Sequence, residues 1–398
     1  MTAEPVSPGQ ALQKLAPRKI ALSKIALSKI DSLARRFPGG FPSGYGHGNK
    51  YHATANVEWT PGFWAGLLWL AFQHTGDQSY RDRAEALNSS FAARLDAGGL
   101  GVDTHDLGFL YSLSSVAAWK LTGDAAARAV ALRAAEFLTR RYWTGGRIIQ
   151  AWGRLDQEDE RGRIIIDSTM NMPLLFWAAN ESDQAAGYRD IAVNHLDQCA
   201  RHLVRDDGST FHTYFVDPVT GRGRYGKTHQ GFSDESCWSR GQAWAIYGFS
   251  LAYRHTRLDR FLDVARRVAS YFLEHLPSDD PGNDLNDNVC CWDLTFHGRD
   301  RQERDTSAAA IAACGLLELS GLLAHDDPDR DRLCSAALGM LEVLTSKYLS
   351  TDPDEDGILR QGVCHRPQGH GVNECCLWGD YFFMEALVRQ DPMWSSFW

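Results

Sequence analysis

Two kinds of apolar stretch alternate along the chain. The first carries its apolar residues on a stripe. Over roughly 124–142, Ala127, Val130, Ala131, Ala134 and Leu138 recur at three- and four-residue steps, while Arg128, Arg133 and Arg140 lie off the stripe. That period predicts a surface helix with one buried face. Stretches of this kind occupy roughly 18–36, 78–95, 124–142, 184–204, 258–276 and 328–348. The second kind is apolar nearly all round and rich in small and aromatic residues, as in GFWAGLLWLAFQ and TSAAAIAACGLLEL. These fall at roughly 62–74, 106–121, 168–180, 239–254, 306–323 and 378–389. A helix apolar on most faces is buried.

Short turns lead from each buried stretch to the next surface one, such as His74-Thr75-Gly76-Asp77 and Leu121-Thr122-Gly123-Asp124. Gly after a helix and Asp before the next are stop and start signals. The links from surface to buried helix are longer. Six surface helices alternating with six buried ones predict a repeat architecture, an all-α (α/α)6 barrel with an inner and an outer ring. Residues 1–17, with Pro5, Pro8 and Pro17, read as a flexible tail, and 18–398 as one barrel domain. The segment near 208–230 has strand-like features and predicts a β-hairpin turning at Asp217-Pro218-Val219-Thr220-Gly221. It lies in a long link on the face where a site would be built.

Composition narrows the partners. The chain has 398 residues, 44% of them hydrophobic, and a formal charge of −9. A chain this long removes about 75% of its unfolded surface from water, so its core needs no disulfide or metal. The acidic balance disfavours nucleic acid and anionic membrane surfaces, which attract positive fields. No apolar run is long enough to span a bilayer. Nine cysteines without a C-x-x-C or a zinc-like spacing predict reduced, buried thiols in a cytoplasmic protein and no metal site.

Each inner helix starts on a polar or aromatic cluster, and a closed barrel aims all of these starts at one cavity. The clusters hold Glu58-Trp59, His105-Asp106, Asp167-Ser168, Trp238-Ser239-Arg240-Gly241-Gln242-Ala243-Trp244, Asp305-Thr306 and Trp378-Gly379-Asp380. An Asp at such a place is commonly an N-cap, which is the reading for Asp305; Asp380 also reads as structural. Asp106 and Asp167 differ. Asp167 follows Ile164-Ile165-Ile166, a segment that can desolvate its carboxyl and raise its pKa, and two carboxylates in unlike surroundings suit acid/base work on a sugar. Trp59, Trp238 and Trp244 suit stacking on sugar faces, and Arg240 can hold a carboxylate through two parallel bonds. His212 and the run Tyr225-Gly226-Lys227-Thr228-His229-Gln230 add donors from the long link. Motifs for nucleotide binding, serine hydrolysis and zinc peptidases are absent.

These blocks together, EWTPGFWAGLLWLAFQHTGD, HDLGFLYSLS, IIQAWG, GRIIIDSTMNMPLLFWA, KTHQGFSDESCWSRGQAWAIYGF, RDTSAAAIAACGLLEL and WGDYFFMEAL, resemble the unsaturated glucuronyl hydrolases of glycoside hydrolase family 88 from about residue 45 to residue 390. The resemblance implies an (α/α)6 barrel that needs no metal or cofactor. It implies release of a 4,5-unsaturated uronic acid from oligosaccharides left by polysaccharide lyases. By position it puts the general acid/base on Asp167 and the second catalytic carboxylate on Asp106. It puts substrate contacts on Trp59, His105, His212, Gly226, Thr228, Gln230, Trp238, Arg240 and Trp244. Glu58 and Thr104 stand where the family pattern leads one to expect Asp and His. An unsaturated rhamnogalacturonyl hydrolase and a non-catalytic sugar-binding toroid are the alternatives on the same fold.

Overall fold

The computed structural model describes residues 8–183, 185–277, 288–296, 302–389, 391 and 394–398. In chain order the helices are α1 (Pro8–Arg36), α2 (Pro61–Thr75), α3 (Gln78–Ala86), α4 (Asn88–Ala97), α5 (Leu107–Tyr111), α6 (Ala117–Thr122), α7 (Ala125–Thr139), α8 (Pro173–Glu181), α9 (Ala185–His202), α10 (Ser239–Thr256), α11 (Asp259–Glu274), α12 (Thr306–Leu322), α13 (Pro328–Val343) and α14 (Leu377–Val388). The inner ring is α2, α5 with α6, α8, α10, α12 and α14, and it closes where α14 packs on α2. The outer ring is α1, α3 with α4, α7, α9, α11 and α13. The two expected rings are therefore both present. No helix among the described residues is long and apolar enough to cross a membrane.

Local chemistry explains the boundaries. Gly76 and Gly123 both take φ of 72°, the left-handed conformation that ends a helix at no steric cost to glycine. Asp77 and Asp124 then accept from the amides of Ser79 and Ala126 at 2.9 and 2.8 Å and start the outer helices. On α7 the striped residues Ala127, Ala131, Ala134 and Leu138 are buried, while Val130 is only partly so.

Three expectations change. The stretch expected as one inner helix over 106–121 is broken by a π-turn at Ser112–Val116. The stretch expected over 168–180 splits into a 3-10 turn, Ile166–Met170, and α8, because Pro173 has no amide hydrogen for a continuing helix. Helix α1 starts at Pro8 rather than at 18, and the rest of the expected tail, residues 1–7, lies outside the described residues.

The strands are short and lie in the long links: β1 (Phe41–Pro42), β2 (Ala53–Thr54), β3 (Tyr142–Trp143), β4 (Ile148–Ile149), β5 (Arg163–Ile165), β6 (Thr213–Val216), β7 (Gly223–Lys227), β8 (Gly362–His365) and β9 (His370–Glu374). The expected hairpin is β6–β7, and β5 joins it as a third antiparallel strand, with Ile165 opposite Thr213. That pairing delivers the chain straight into the turn that carries Asp167.

Candidate active site

The starts of four inner helical segments meet in one cavity of about 310 Å³. Trp59 comes from the approach to α2, Asp106 from the approach to α5, and Asp167 from the turn before α8. Trp238, Arg240 and Trp244 come from α10 and its approach, and Trp152, His229 and Gln230 come from loops.

Capping separates the aspartates at these helix starts. Asp305 is an N-cap: its Oδ1 accepts from the amides of Ser307 and Ala308 at 3.0 and 3.3 Å. Asp380 is structural in another way, accepting from the amides of Ile358 and Leu359 and from the Tyr51 hydroxyl. Asp106 sits at the N-cap of α5, yet its side chain makes no cap bond. Asp167 lies inside its turn and likewise caps nothing. The two carboxyls therefore face the cavity, with side chains 15% and 18% exposed.

Between them stands His105, wholly buried, with Nε2 3.2 Å from Asp106 Oδ1 and 3.1 Å from Asp167 Oδ1. These are ion-pair distances; the ring is turned so that neither contact is a well-aligned hydrogen bond. Burial alone would push the His105 pKa down, and the two carboxylates outweigh it and lift it to about 10. One imidazolium thus serves two acids. Burial also pushes both acids up. For Asp106 that push is overcome by His105, by Thr104, whose hydroxyl donates to Oδ2 at 2.7 Å, and by Arg94, so it lies below the ordinary value. For Asp167 burial and the nearby Asp106 charge prevail over His105 and Arg240, so its pKa is raised. Environment has split the pair in opposite directions, so Asp167 holds a proton more tightly than Asp106 does.

Of the residues expected at the site, Asp106, Asp167, Trp59, Gln230, Trp238, Arg240 and Trp244 line the cavity, and His105, His212, Gly226 and Thr228 do not. His105 lies beneath, against both acids. His212 acts on the loop: its Nδ1 accepts from the amides of His229 and Gln230 at 2.9 and 3.0 Å. The Thr228 hydroxyl accepts from the amide of Gly231 at 2.7 Å and shapes the same loop. Gly226 on β7 is needed for packing, since a Cβ there would stand 2.3 Å from the ring of Phe211.

Arg240 departs from the free clamp expected. Its side chain is 1% exposed, and its terminal nitrogens donate to the carbonyls of Val363 and Cys364. Nη1 also lies 3.5 Å from Asp305, and the guanidinium rests over Trp238 and Trp378. Arg240 therefore ties β8 to the cavity wall as well as supplying charge. Gln230 does the same, donating to the Cys364 carbonyl at 2.7 Å.

Trp152 lines the cavity without having been singled out, and His229, read above as one donor of the long link, lines it too. Neither lies at a helix start. Trp152 belongs to the IIQAWG block, where an aromatic just after a short strand was the available signal. Its position follows from the amide of His105 donating to the Ala151 carbonyl at 2.8 Å.

The donor atoms of His105, Asp106 and Asp167 lie within 4.8 Å of one another, a spacing a cation can use. A metal would first have to displace the proton that makes His105 the local cation. The arrangement suits proton transfer: Asp167, with its raised pKa, stands beside Asp106, with its lowered one, under aromatic rings of a size to meet a sugar.

Residues 30–317 match the family model for Glycosyl Hydrolase Family 88. The chain is 41% identical over 359 residues to an unsaturated chondroitin disaccharide hydrolase of Streptococcus pyogenes, covering 90% of this chain and 87% of that one. It superposes on the crystal structure of the unsaturated glucuronyl hydrolase of Bacillus sp. GL1 with a TM-score of 0.88 and 41% identity, covering 93% and 96% of the two chains. A Streptococcus agalactiae unsaturated glucuronyl hydrolase variant, an Asp replaced by Asn and complexed with dGlcA-GalNAc6S, superposes with a TM-score of 0.82 and 36% identity, covering 96% and 94%. A closed double ring of helices, a cavity that joins two unlike aspartates through one histidine, and likeness over nearly the whole length have one reading: the chain belongs to glycosyl hydrolase family 88.

Proposed function

We propose that the protein is a hydrolase that removes a 4,5-unsaturated uronic acid from the non-reducing end of lyase-generated oligosaccharides. The observation that carries this reading is Asp167, an uncapped carboxyl with a raised pKa in a cavity lined by Trp59, Trp152, Trp238 and Trp244. The activities named for the Bacillus and Streptococcus relatives support it, as does the unsaturated disaccharide complex.

The substrate's C4=C5 bond is conjugated with the ring oxygen as a vinyl ether. Asp167 protonates C4, and an oxocarbenium ion forms at C5. Asp167, now a carboxylate, takes a proton from water as its oxygen bonds to C5. The hemiketal opens, leaving a ketone at C5 and a hemiacetal at C1. The hemiacetal then collapses to an aldehyde and releases the aglycone alcohol. One water is consumed, and Asp167 ends protonated as it began. Asp106, held as an anion, stabilises the developing positive charge and accepts from sugar hydroxyls. His105 keeps the two carboxyls apart in charge. Trp59, Trp238 and Trp244 offer faces to the sugar, and Arg240 and Gln230 present its carboxylate side. Seven of the nine cysteines are buried, which supports a reducing, cytosolic setting.

Incubation with an unsaturated chondroitin disaccharide should abolish the ultraviolet absorbance of its double bond, while the saturated glucuronide stays intact. Cleavage of the saturated analogue would contradict the hydration route. Binding without loss of absorbance would favour a non-catalytic sugar-binding toroid.

A further inference from the structure

His195, on outer helix α9, lies outside the cavity and is wholly buried. Its Nδ1 accepts from the backbone amide of Ile149 on β4 at 3.0 Å. An amide can only donate there, so Nδ1 carries no proton and Nε2 carries the hydrogen of the neutral ring. Nε2 lies 2.8 Å from Ser168 Oγ, and that hydroxyl donates to the Ile165 carbonyl at 2.5 Å. Cys199, one turn further along α9, closes the pocket at 3.4 Å from Nε2. The direction of every bond is thereby set, from the Ile149 amide through the ring and Ser168 to the Ile165 carbonyl.

Both ends of this chain lead to the reacting groups. Ser168 follows Asp167 in the same 3-10 turn. Two residues after Ile149, the Ala151 carbonyl holds the backbone of His105, and Trp152 then enters the cavity. On its inner side the turn is held by Thr169, whose hydroxyl donates to the Ile166 carbonyl at 2.8 Å. Asn171 adds a bond to the Asp167 carbonyl at 3.3 Å. The outer side of the turn is held by His195 through Ser168. We propose that His195 is a positioning residue for the acid/base step: in its Nε2–H tautomer it cross-links the β4 segment that anchors His105 to the turn that carries Asp167, and so fixes the His105–Asp167 separation. Burial, followed by the charge on His105, pushes its pKa down to about 3, so the tautomer persists across the working range of the enzyme.

The inference rests on the proposed role of Asp167, and the test keeps the two apart. Steady-state kinetics on an unsaturated disaccharide are measured for Asp167→Asn, His195→Ala, His195→Gln and Ser168→Ala, each normalised to folded protein by thermal melting. Gln at 195 can accept from the Ile149 amide and donate to Ser168. The expected result is a kcat about tenfold lower for His195→Ala, with KM within about twofold, and recovery of most of the loss by His195→Gln. Ser168→Ala, which keeps the ring and removes its grip on the turn, should lower kcat in the same way even if His195→Ala fails to fold. A wild-type kcat per folded molecule in Ser168→Ala or in His195→Ala, with Asp167→Asn inactive, overturns the positioning role alone. An active Asp167→Asn overturns the reading beneath it.

Discussion

The barrel buries a charged cluster at each end of its inner helices, and the two clusters balance differently. At the C-terminal ends, Glu318 lies 3.0 Å from Arg389 and 3.1 Å from Arg254, and Arg389 lies 3.1 Å from Glu385. Glu385 also accepts from the Tyr247 hydroxyl at 2.5 Å and from the Trp398 indole at 2.9 Å. Two acids face two guanidiniums. At the N-terminal ends, Asp106 and Asp167 share the single imidazole of His105. A matched buried cluster can leave every group charged and act as a strut. A cluster with one shared imidazole between two acids raises the pKa of one of them, here Asp167, and the proton held more tightly there is suited to chemistry. Trp398 lies between the two ends, stacked 6.0 Å from Phe382 and edge-on to Phe109, which also touches Trp59 and Trp244 in the cavity wall.

The sharpest way to break the comparison is to unbalance the matched end. Arg389→Leu should destabilise the protein by about 3–5 kcal/mol, because it strands buried Glu318 and Glu385. Chemical denaturation measures this, and activity per folded molecule should be retained. At the other end Asp167→Asn should lower turnover by about 10²-fold or more, roughly 2.7 kcal/mol of barrier, while keeping near-normal melting and substrate binding. An Asp167→Asn protein with over a tenth of the wild-type rate would mean the proton resides elsewhere. Arg240→Ala lies between the two kinds of cluster. It should weaken kcat/KM on unsaturated uronates by about 1.5–3 kcal/mol. It should also lower the melting temperature, because buried Asp305 loses its cation and β8 loses two bonds. An unchanged kcat/KM would remove Arg240 from the site.

Much of this was legible in the chain, for physical reasons. The two rings could be read because a helix apolar on one stripe and a helix apolar all round have different sequence signatures. Asp106 and Asp167 stood out because they end polar or apolar approaches to inner helices. Capping was read for Asp305 from its place ahead of Thr306 and Ser307, and the fold bears it out. Asp305 and Asp106 both stand just ahead of an inner helix, and the fold supplies the distances: Asp305 bonds to two amides while Asp106 makes no cap bond. The freedom of Arg240 was overestimated, since its partners are carbonyls 123 and 124 residues away. The β8–β9 hairpin left little signal because its strands lack alternation; its turn depends on Gly369, at φ 69°. His195 carried little local mark, since Ile149 and Ser168 come from other segments and only Cys199 shares its helix.

The central claim is that Asp167 holds a proton more tightly than Asp106 and is the acid of the pair. Infrared difference spectroscopy near neutral pH measures this directly, comparing the wild type with Asp167→Asn and with Asp106→Asn. The account predicts a protonated carboxyl band that is lost in Asp167→Asn. In Asp106→Asn the band persists but titrates away at lower pH, because removing the neighbouring negative charge lowers the Asp167 pKa. A band that survives in Asp167→Asn and vanishes in Asp106→Asn would contradict it.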